Sequence, residues 1–453
     1  MKDYIILLLL ILGFCNSEAQ KKDNTAWVSL FNGKNLIGWR NLNGKADYKV
    51  VGGEIVGISK SGEPNSFLAT TKQYGDFILE LELFIDPLMN SGIQFRSKQK
   101  GKTANGQVYG YQMEVDPSSR AWSGGIYDEA RRGWLYTLEQ NLEARKAFKN
   151  GSWNKYRIEA IGNTIRTWVN GVPTAHLIDQ LTPKGFIALQ IHSIGTNNQP
   201  GKQIKWRNIR IQTENLKPTH SDQISVVNLI PNNLSLQEKQ NGFSLLFDGK
   251  SMDQWRGAYK SVFPSKGWMV KDGVLSVEKT NGAESTNGGD IVTKKQYGSF
   301  EMKFDFKLTE TANSGVKYFV TESEGNKGSA IGLEYQILDD LRHPDAKLGR
   351  GGNRTLGSLY DLMTSEKIPA SQKKIGEWNQ GIIKVYPDNN VEYWLNGYKI
   401  LAYTRGSKEF LDLVAISKYK NWQNFGMAPK GHILLQDHGD NVSFRSLKIR
   451  ELN

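Results

Sequence analysis

Over much of the chain, apolar and polar residues alternate with a period of two. Residues 77–85 read Phe-Ile-Leu-Glu-Leu-Glu-Leu-Phe-Ile, and residues 300–308 read Phe-Glu-Met-Lys-Phe-Asp-Phe-Lys-Leu. That period gives a strand one core face and one solvated face. Asn170-Gly171 and Asn396-Gly397 stand between further alternating runs. Asn-Gly favours a two-residue hairpin, because both turn positions take positive φ. Residues 50–58 and 269–277 predict two more hairpins, around Gly-Gly and Asp-Gly. The one helical stretch is 138–148, enough for a turn or two. Many short strands punctuated by turn residues predict an all-β protein made of two-sheet antiparallel sandwiches.

The same landmarks occur twice, in the same order. Leu30-Phe31-Asn32-Gly33-Lys34 with Trp39 returns as Leu246-Phe247-Asp248-Gly249-Lys250 with Trp255. Lys72-Gln73-Tyr74-Gly75 returns as Lys295-Gln296-Tyr297-Gly298, and Asn90-Ser91-Gly92 as Asn313-Ser314-Gly315. Trp153-Asn154 matches Trp378-Asn379, and Leu189-Gln190-x-His192 matches Leu435-Gln436-x-His438. A period of roughly 220 residues is too long for a solenoid unit and right for a whole domain. The expected organisation is a first sandwich over residues 26–212, a linker over 213–240 and a second sandwich over 241–453. The linker has no sustained periodicity and predicts at most one short strand, at 224–229.

Composition changes this picture at the N-terminus. Lys2 precedes an apolar run from Ile5 to Leu12, too short to span a bilayer and suited to a signal peptide. Ser17-Glu18-Ala19 is a small-x-small cleavage signal, so residues 1–19 are expected to be removed and the protein to be periplasmic or secreted. Acylation at Cys15 is the alternative, disfavoured by the bulky Phe14 before it. Cys15 is the only cysteine, so disulfides, cysteine-based zinc sites and thiol nucleophiles are excluded from the mature chain. The net charge of +12 is spread along strands with no dense basic run, which argues against a nucleic-acid partner. No integral membrane span is expected.

Candidate chemistry lies on two strands of each copy. Residues 110–116 place Gln112, Glu114 and Asp116 on one face. Such a row is either a solvated surface or the floor of a concave sugar site. The second copy keeps both residue types but exchanges their order, as Glu334 and Gln336, which favours the site. Gln190 with His192, and Gln436 with His438, form a second repeated pair. Imidazole is the natural proton acceptor near neutral pH, although a strand-end histidine is also a common structural residue. Loop candidates are Tyr127, Asp128 and Glu129, answered by Tyr360 and Asp361; His343 has no counterpart in the first copy. Arg96 closes a strand. There is no phosphate loop, His-Glu-x-x-His pair or serine nucleophile elbow.

Together, the Leu-Phe-Asn/Asp-Gly-Lys…Trp opening, the Asn-Ser-Gly turn, the acid-amide strand and the closing Leu-Gln-x-His resemble the 3-keto-disaccharide hydrolase family, over nearly all of both copies. The resemblance implies two tandem concanavalin A-like jelly-roll β-sandwiches, each with its site on the concave sheet. It implies cleavage of glycosides already oxidised to a ketone at sugar carbon 3, by hydrolysis or by elimination and hydration. A base then takes the carbon 2 proton, an electrophile stabilises the enolate and an acid helps the aglycone leave. On this basis His192 or Glu114 is the base of the first copy, with Gln112 and Arg96 orienting the sugar. In the second copy these roles fall to His438 or Glu334, with Gln336 alongside. Tyr127, Asp128, Glu129, Gln190, His343, Tyr360, Asp361 and Gln436 are the remaining substrate-binding candidates. The electrophile is either a divalent metal held by carboxylate and histidine or arginine and amide groups. The expected partner is a carbohydrate, and the competing reading is a lectin-like binding protein without catalysis. Mass spectrometry of the mature N-terminus is expected to begin at Gln20; an acylated Cys15 instead would mean lipoprotein processing.

Overall fold

The computed structural model describes residues 27–101, 105–220, 223–280, 287–322 and 330–453; the expected signal peptide lies outside them. The chain is two tandem jelly-roll β-sandwiches. Among the described residues, the first copy packs a nine-stranded sheet, one strand of which comes from the linker, on a seven-stranded one, and the second an eight-stranded sheet on a five-stranded one. Phe77, Leu79, Leu81, Leu83 and Ile85 point into the first core, each no more than 2% exposed. Phe300, Met302, Phe304, Phe306 and Leu308 do the same in the second. Each such side chain contributes about 1.5–3 kcal/mol on full burial, so these two strands anchor their sandwiches.

The repeated motifs outside the site are turn and corner hardware. Asn32 Oδ1 accepts the backbone N–H groups of Lys34 and Asn35, and Asp248 Oδ1 those of Lys250 and Ser251. The Trp39 indole then donates to the Leu30 carbonyl at 2.8 Å, and that of Trp255 to Leu246 at 2.7 Å. Both Asn-Gly turns take positive φ, and Asn170 and Asn396 each donate to the asparagine of the Trp-Asn pair at 2.8 Å.

Three local expectations change. Residues 138–148 form two short 3₁₀ turns, Leu138–Gln140 and Leu142–Lys146. The linker contains a helix, Leu236–Gln240, started by a capping box between Ser235 and Glu238. A second helix, Lys408–Ala415, is capped by Ser407. Both are too short for helical periodicity to stand out; cap chemistry was their only sequence signal. None of the described helices is long and apolar enough to cross a membrane.

The linker docks on both copies. Val227 pairs with Leu177 of the first copy in a short parallel ladder, while Lys303 Nζ of the second donates to the Val226 carbonyl at 3.0 Å. Glu238 meets Lys448 at 3.0 Å, both nearly fully buried. Burial pushes the Glu238 carboxyl up, but Lys448, Lys303 and Asn228 outweigh it and hold it below the usual range. The copies also touch directly. Thr137 donates to the Gly397 carbonyl at 2.7 Å and Lys373 to that of Arg132 at 2.8 Å, beside an interdomain cavity of about 490 Å³ that includes Trp134 and Trp378.

Glu238→Ala strands the buried Lys448 ammonium and is expected to cost about 3–5 kcal/mol, read as an early melting transition of the full chain. Because the Glu238 carboxyl is depressed on folding, its contribution is complete above the ordinary carboxylate range and is lost as pH falls through its folded value. Denaturant titrations should therefore show a steeper acid loss of stability in the wild type than in Glu238→Gln.

Candidate functional site

The seven-stranded sheet runs, in order, through strands Gly133–Tyr136, Ile126–Glu129, Val108–Val115, Ser91–Gln99, Phe186–Ile191, Ser66–Thr70 and Trp39–Asn43. Alternation sends Ile93, Phe95, Tyr111, Met113 and Leu189 into the core, all fully buried. Gln94, Gln112, Glu114 and Gln190 take the opposite face, with Gln94 opposite Gln112 in register. A solvated surface would leave them wet. Instead all four are buried, Glu114 to 4% exposure, with Arg120 reaching Glu114 and Phe67 and Ala188 as apolar neighbours opposite Gln190 and Gln94.

Gly92 makes this arrangement fit. A Cβ there would come closer than 3.0 Å to the Gln112 side chain, which lies flat across the glycine. The Asn-Ser-Gly segment, which opens a strand where a turn was expected, supplies the neighbours that complete the construction. Asn90 Nδ2 donates to Glu114 at 2.7 Å, and Ser91 Oγ donates to the Gln190 carbonyl at 2.6 Å. Gln94 donates to Gln112 at 2.7 Å, and Gln112 donates in turn to Glu114 at 3.1 Å. Burial drives the Glu114 carboxyl up to about 7, with Asn90, Arg120 and Gln112 only partly offsetting it. Neither amide atom of Gln190 has a hydrogen-bond partner among the described residues.

His192 follows the end of its strand. Its Nδ1 lies 2.7 Å from the Ser193 carbonyl, so Nδ1 carries the proton and Nε2 is left as an acceptor. With Asn90 and Lys202 it lines a cleft of about 260 Å³. Glu129 is close by; burial raises its carboxyl, while Asn65 and His192 act the other way. Asp116, beyond the strand end, pairs with Arg120 at 2.7 Å.

Two first-copy candidates lie elsewhere. Arg96 is 1% exposed and turned away from the concave face, donating to the carbonyls of Gly75, Ala160 and Gly162 and to Asp76. It stands at a bulge with φ of 46°, which redirects the side chain. Asp128 points to the core side and is neutralised by Arg131 and Arg132. Both are structural residues.

The second copy builds the same frame with different charges. A Cβ on Gly315 would collide with Glu334, Ser314 donates to the Gln436 carbonyl at 2.9 Å, and Gln336 donates to Asn313 at 3.2 Å. Glu114 is thus matched by Gln336, and Gln112 by Glu334. Opposite Glu334 stands Lys317, 5% exposed, where the first copy has Gln94. Tyr360 donates its N–H to the Glu334 carbonyl and its hydroxyl to Asp345, with Lys418 Nζ 4.1 Å from its ring centre. Asp361 ties Arg354 to the Lys418 backbone and is structural. His343 and His438 meet edge to face at 5.9 Å.

Sequence reasoning missed Arg120, Trp122 and Trp134. The Arg120 guanidinium lies 4.9 and 5.0 Å from the two indoles and reaches Glu114 at 3.3 Å. Tyr127 packs on Trp134 at 5.3 Å, and Tyr398 of the second copy packs on Trp122 at 5.7 Å. Trp122 carries no face assignment in its loop, the four-residue strand holding Trp134 is too short for a clear alternation, and nothing local links Tyr398 to the first copy.

A jelly-roll sandwich whose concave sheet carries buried amides, a near-neutral carboxyl and an aromatic rim falls in the class of carbohydrate-handling β-sandwich proteins. The chain belongs to the 3-keto-alpha-glucoside-1,2-lyase-like domain family, which it matches twice, over residues 26–212 and 242–450. It is 34% identical over 241 residues to the 3-keto-disaccharide hydrolase of Bacteroides thetaiotaomicron, an alignment spanning 49% of this chain and 82% of that protein. Among solved structures, it is similar to a candidate glycosyl hydrolase from Parabacteroides distasonis, with 32% identity, a TM-score of 0.43, and 49% and 100% of the two chains covered. A second from that organism gives 27%, 0.35, 46% and 99%.

Glu114 offers a direct check on the electrostatics. Unfolded, it ionises near 4.5; folded, at about 7. Between those values the unfolded chain loses its proton first, so stability falls as pH rises, by roughly 3 kcal/mol for a shift of this size. Urea titrations at pH 5 and pH 8 should show that loss in the wild type and not in Glu114→Gln. Equal losses in both proteins would mean the carboxyl is well solvated.

Proposed function

We propose that the chain is an exported, periplasmic or secreted enzyme that cleaves 3-keto-glycosides, with the first copy as the reactive centre. The observation that carries this reading is the Glu114 carboxyl, buried among amides and pushed to about 7. A general base works best when its pKa lies near the operating pH. In its ionised form Glu114 takes the proton from carbon 2, which the neighbouring ketone acidifies. The enolate oxygen is met by the Gln112 and Gln190 amides and the Arg120 guanidinium. The bond from carbon 1 to the aglycone oxygen breaks, leaving a carbon 1–carbon 2 double bond conjugated to the ketone. The departing oxygen takes a proton from the Glu129 carboxyl, or from His192 once its acceptor Nε2 has taken up a proton from water. Water added across that double bond gives the free 3-keto sugar, so elimination and hydration together amount to hydrolysis.

The second copy has an amide where the first has Glu114, and a lysine beside its own carboxylate. This exchange favours carbohydrate binding over catalysis in that copy. On a 3-keto-glycoside, Glu114→Gln and His192→Ala are each expected to lower turnover by about 10²-fold without lowering the melting temperature. Wild-type kcat/KM should rise with pH through about 7. The double variant Glu334→Gln with His438→Ala should keep turnover and lose binding. Calorimetric sugar binding with no turnover across a panel of 3-keto-glycosides would establish the lectin reading instead.

A further inference from the structure

We propose that the second copy holds one divalent transition-metal ion between His343, His438 and Asp440. The donor atoms of these three side chains lie within 4.8 Å of one another. They come from two segments distant in sequence. His343 precedes the 3₁₀ turn Pro344–Lys347, and His438 and Asp440 follow the strand His432–Leu435. His438 Nδ1 is 3.8 Å from Asp440 Oδ2, too far for a hydrogen bond yet close enough for both to reach one ion with bonds of about 2.0–2.2 Å. Asp440 is already oriented, since its Oδ2 accepts the Asn313 N–H at 3.1 Å.

Among the described residues, the first copy has no such cluster. Where the second reads His438-Gly439-Asp440, the first reads His192-Ser193-Ile194, and His343 has no equivalent. A separate observation points to a ligand at the same end of the sheet. Gln336, 1% exposed, has a side-chain oxygen without a hydrogen-bond partner among the described residues. Its amide nitrogen donates to Asn313, the residue that positions Asp440. The buried amide and the cluster therefore share one support.

Two imidazoles and one carboxylate form a set that zinc and neighbouring first-row ions accept, with positions left open for water or ligand oxygens. The adjacent oxygens of a sugar ketone and hydroxyl are of the right class to fill them. His343 Nδ1 now accepts the Asp345 N–H at 3.2 Å. Ligation through Nε2 requires a proton on Nδ1, so metal binding gives up this cap bond.

The test uses the full chain, stripped with a chelator, dialysed and titrated calorimetrically with Zn²⁺ alone and with Mn²⁺ alone. One equivalent of at least one ion is expected, with affinity lowered 10-fold or more in His343→Ala and in Asp440→Asn and unchanged in His192→Ala. The metal-free melting temperature of each variant is compared with wild type to separate ligation from folding. A wild-type chain that binds neither ion overturns the proposal, whether or not the variants fold. So does an equivalent retained by both variants. Neither result bears on turnover at the first copy, so the metal site and the proposed activity stand or fall separately.

Discussion

The concave face of each sandwich depends on a missing side chain. At Gly92 and Gly315 the neighbouring strand's polar side chain lies directly over the glycine Cα, where any Cβ would collide with it. That close approach lets an amide or carboxylate lie flat on the sheet. The two residues before each glycine fix their surroundings: the asparagine bonds the next polar group, and the serine bonds the carbonyl of the Leu-Gln-x-His segment. Replacing the glycine would force the polar row upward into the cleft and break both supports. Asn-Ser-Gly is therefore the template of the site.

On that shared template the two copies set different electrostatics. The first surrounds its acid with neutral amides and one partly exposed arginine, so desolvation wins and the proton is held to about 7. The second moves the carboxylate one position along the row and sets a buried lysine opposite it. Proton transfer suits the first environment. Charge pairing, with the histidine cluster beyond, characterises the second. Both copies keep this frame, whose bonds join strands distant in sequence, while substitutions on the polar row change the electrostatics it carries.

Nor are the copies independent beads. A buried ion pair, a parallel strand pairing and the contact of Tyr398 with Trp122 bind linker and domains together. The aromatic rim of the first site thus includes a ring supplied by the second copy, so changes in one domain can be felt at the other's cleft.

The sequence by itself determined the β class, the duplication, the hairpins and the pairing of an acid-amide strand with a Leu-Gln-x-His strand. Strand alternation and Asn-Gly turns are local codes, and two copies in one chain reveal which polar positions are kept. It also put Gln112 and Glu114 on one face of their strand, since a period of two leaves little choice. Only the tertiary structure decided that this face is buried, because burial depends on neighbours distant in sequence or beyond the strand, among them Arg120 over Glu114 and the indoles of Trp122 and Trp134 beside it. The bulge at Arg96 and the arginine pair around Asp128 likewise turn plausible site residues into scaffold, and neither is visible in a local pattern. His343 and Asp440 lie nearly a hundred residues apart, and His438 alone carried a repeat signal. Their meeting, like the reach of Tyr398 to the first copy, follows from sheet packing and domain docking, which no local spacing encodes.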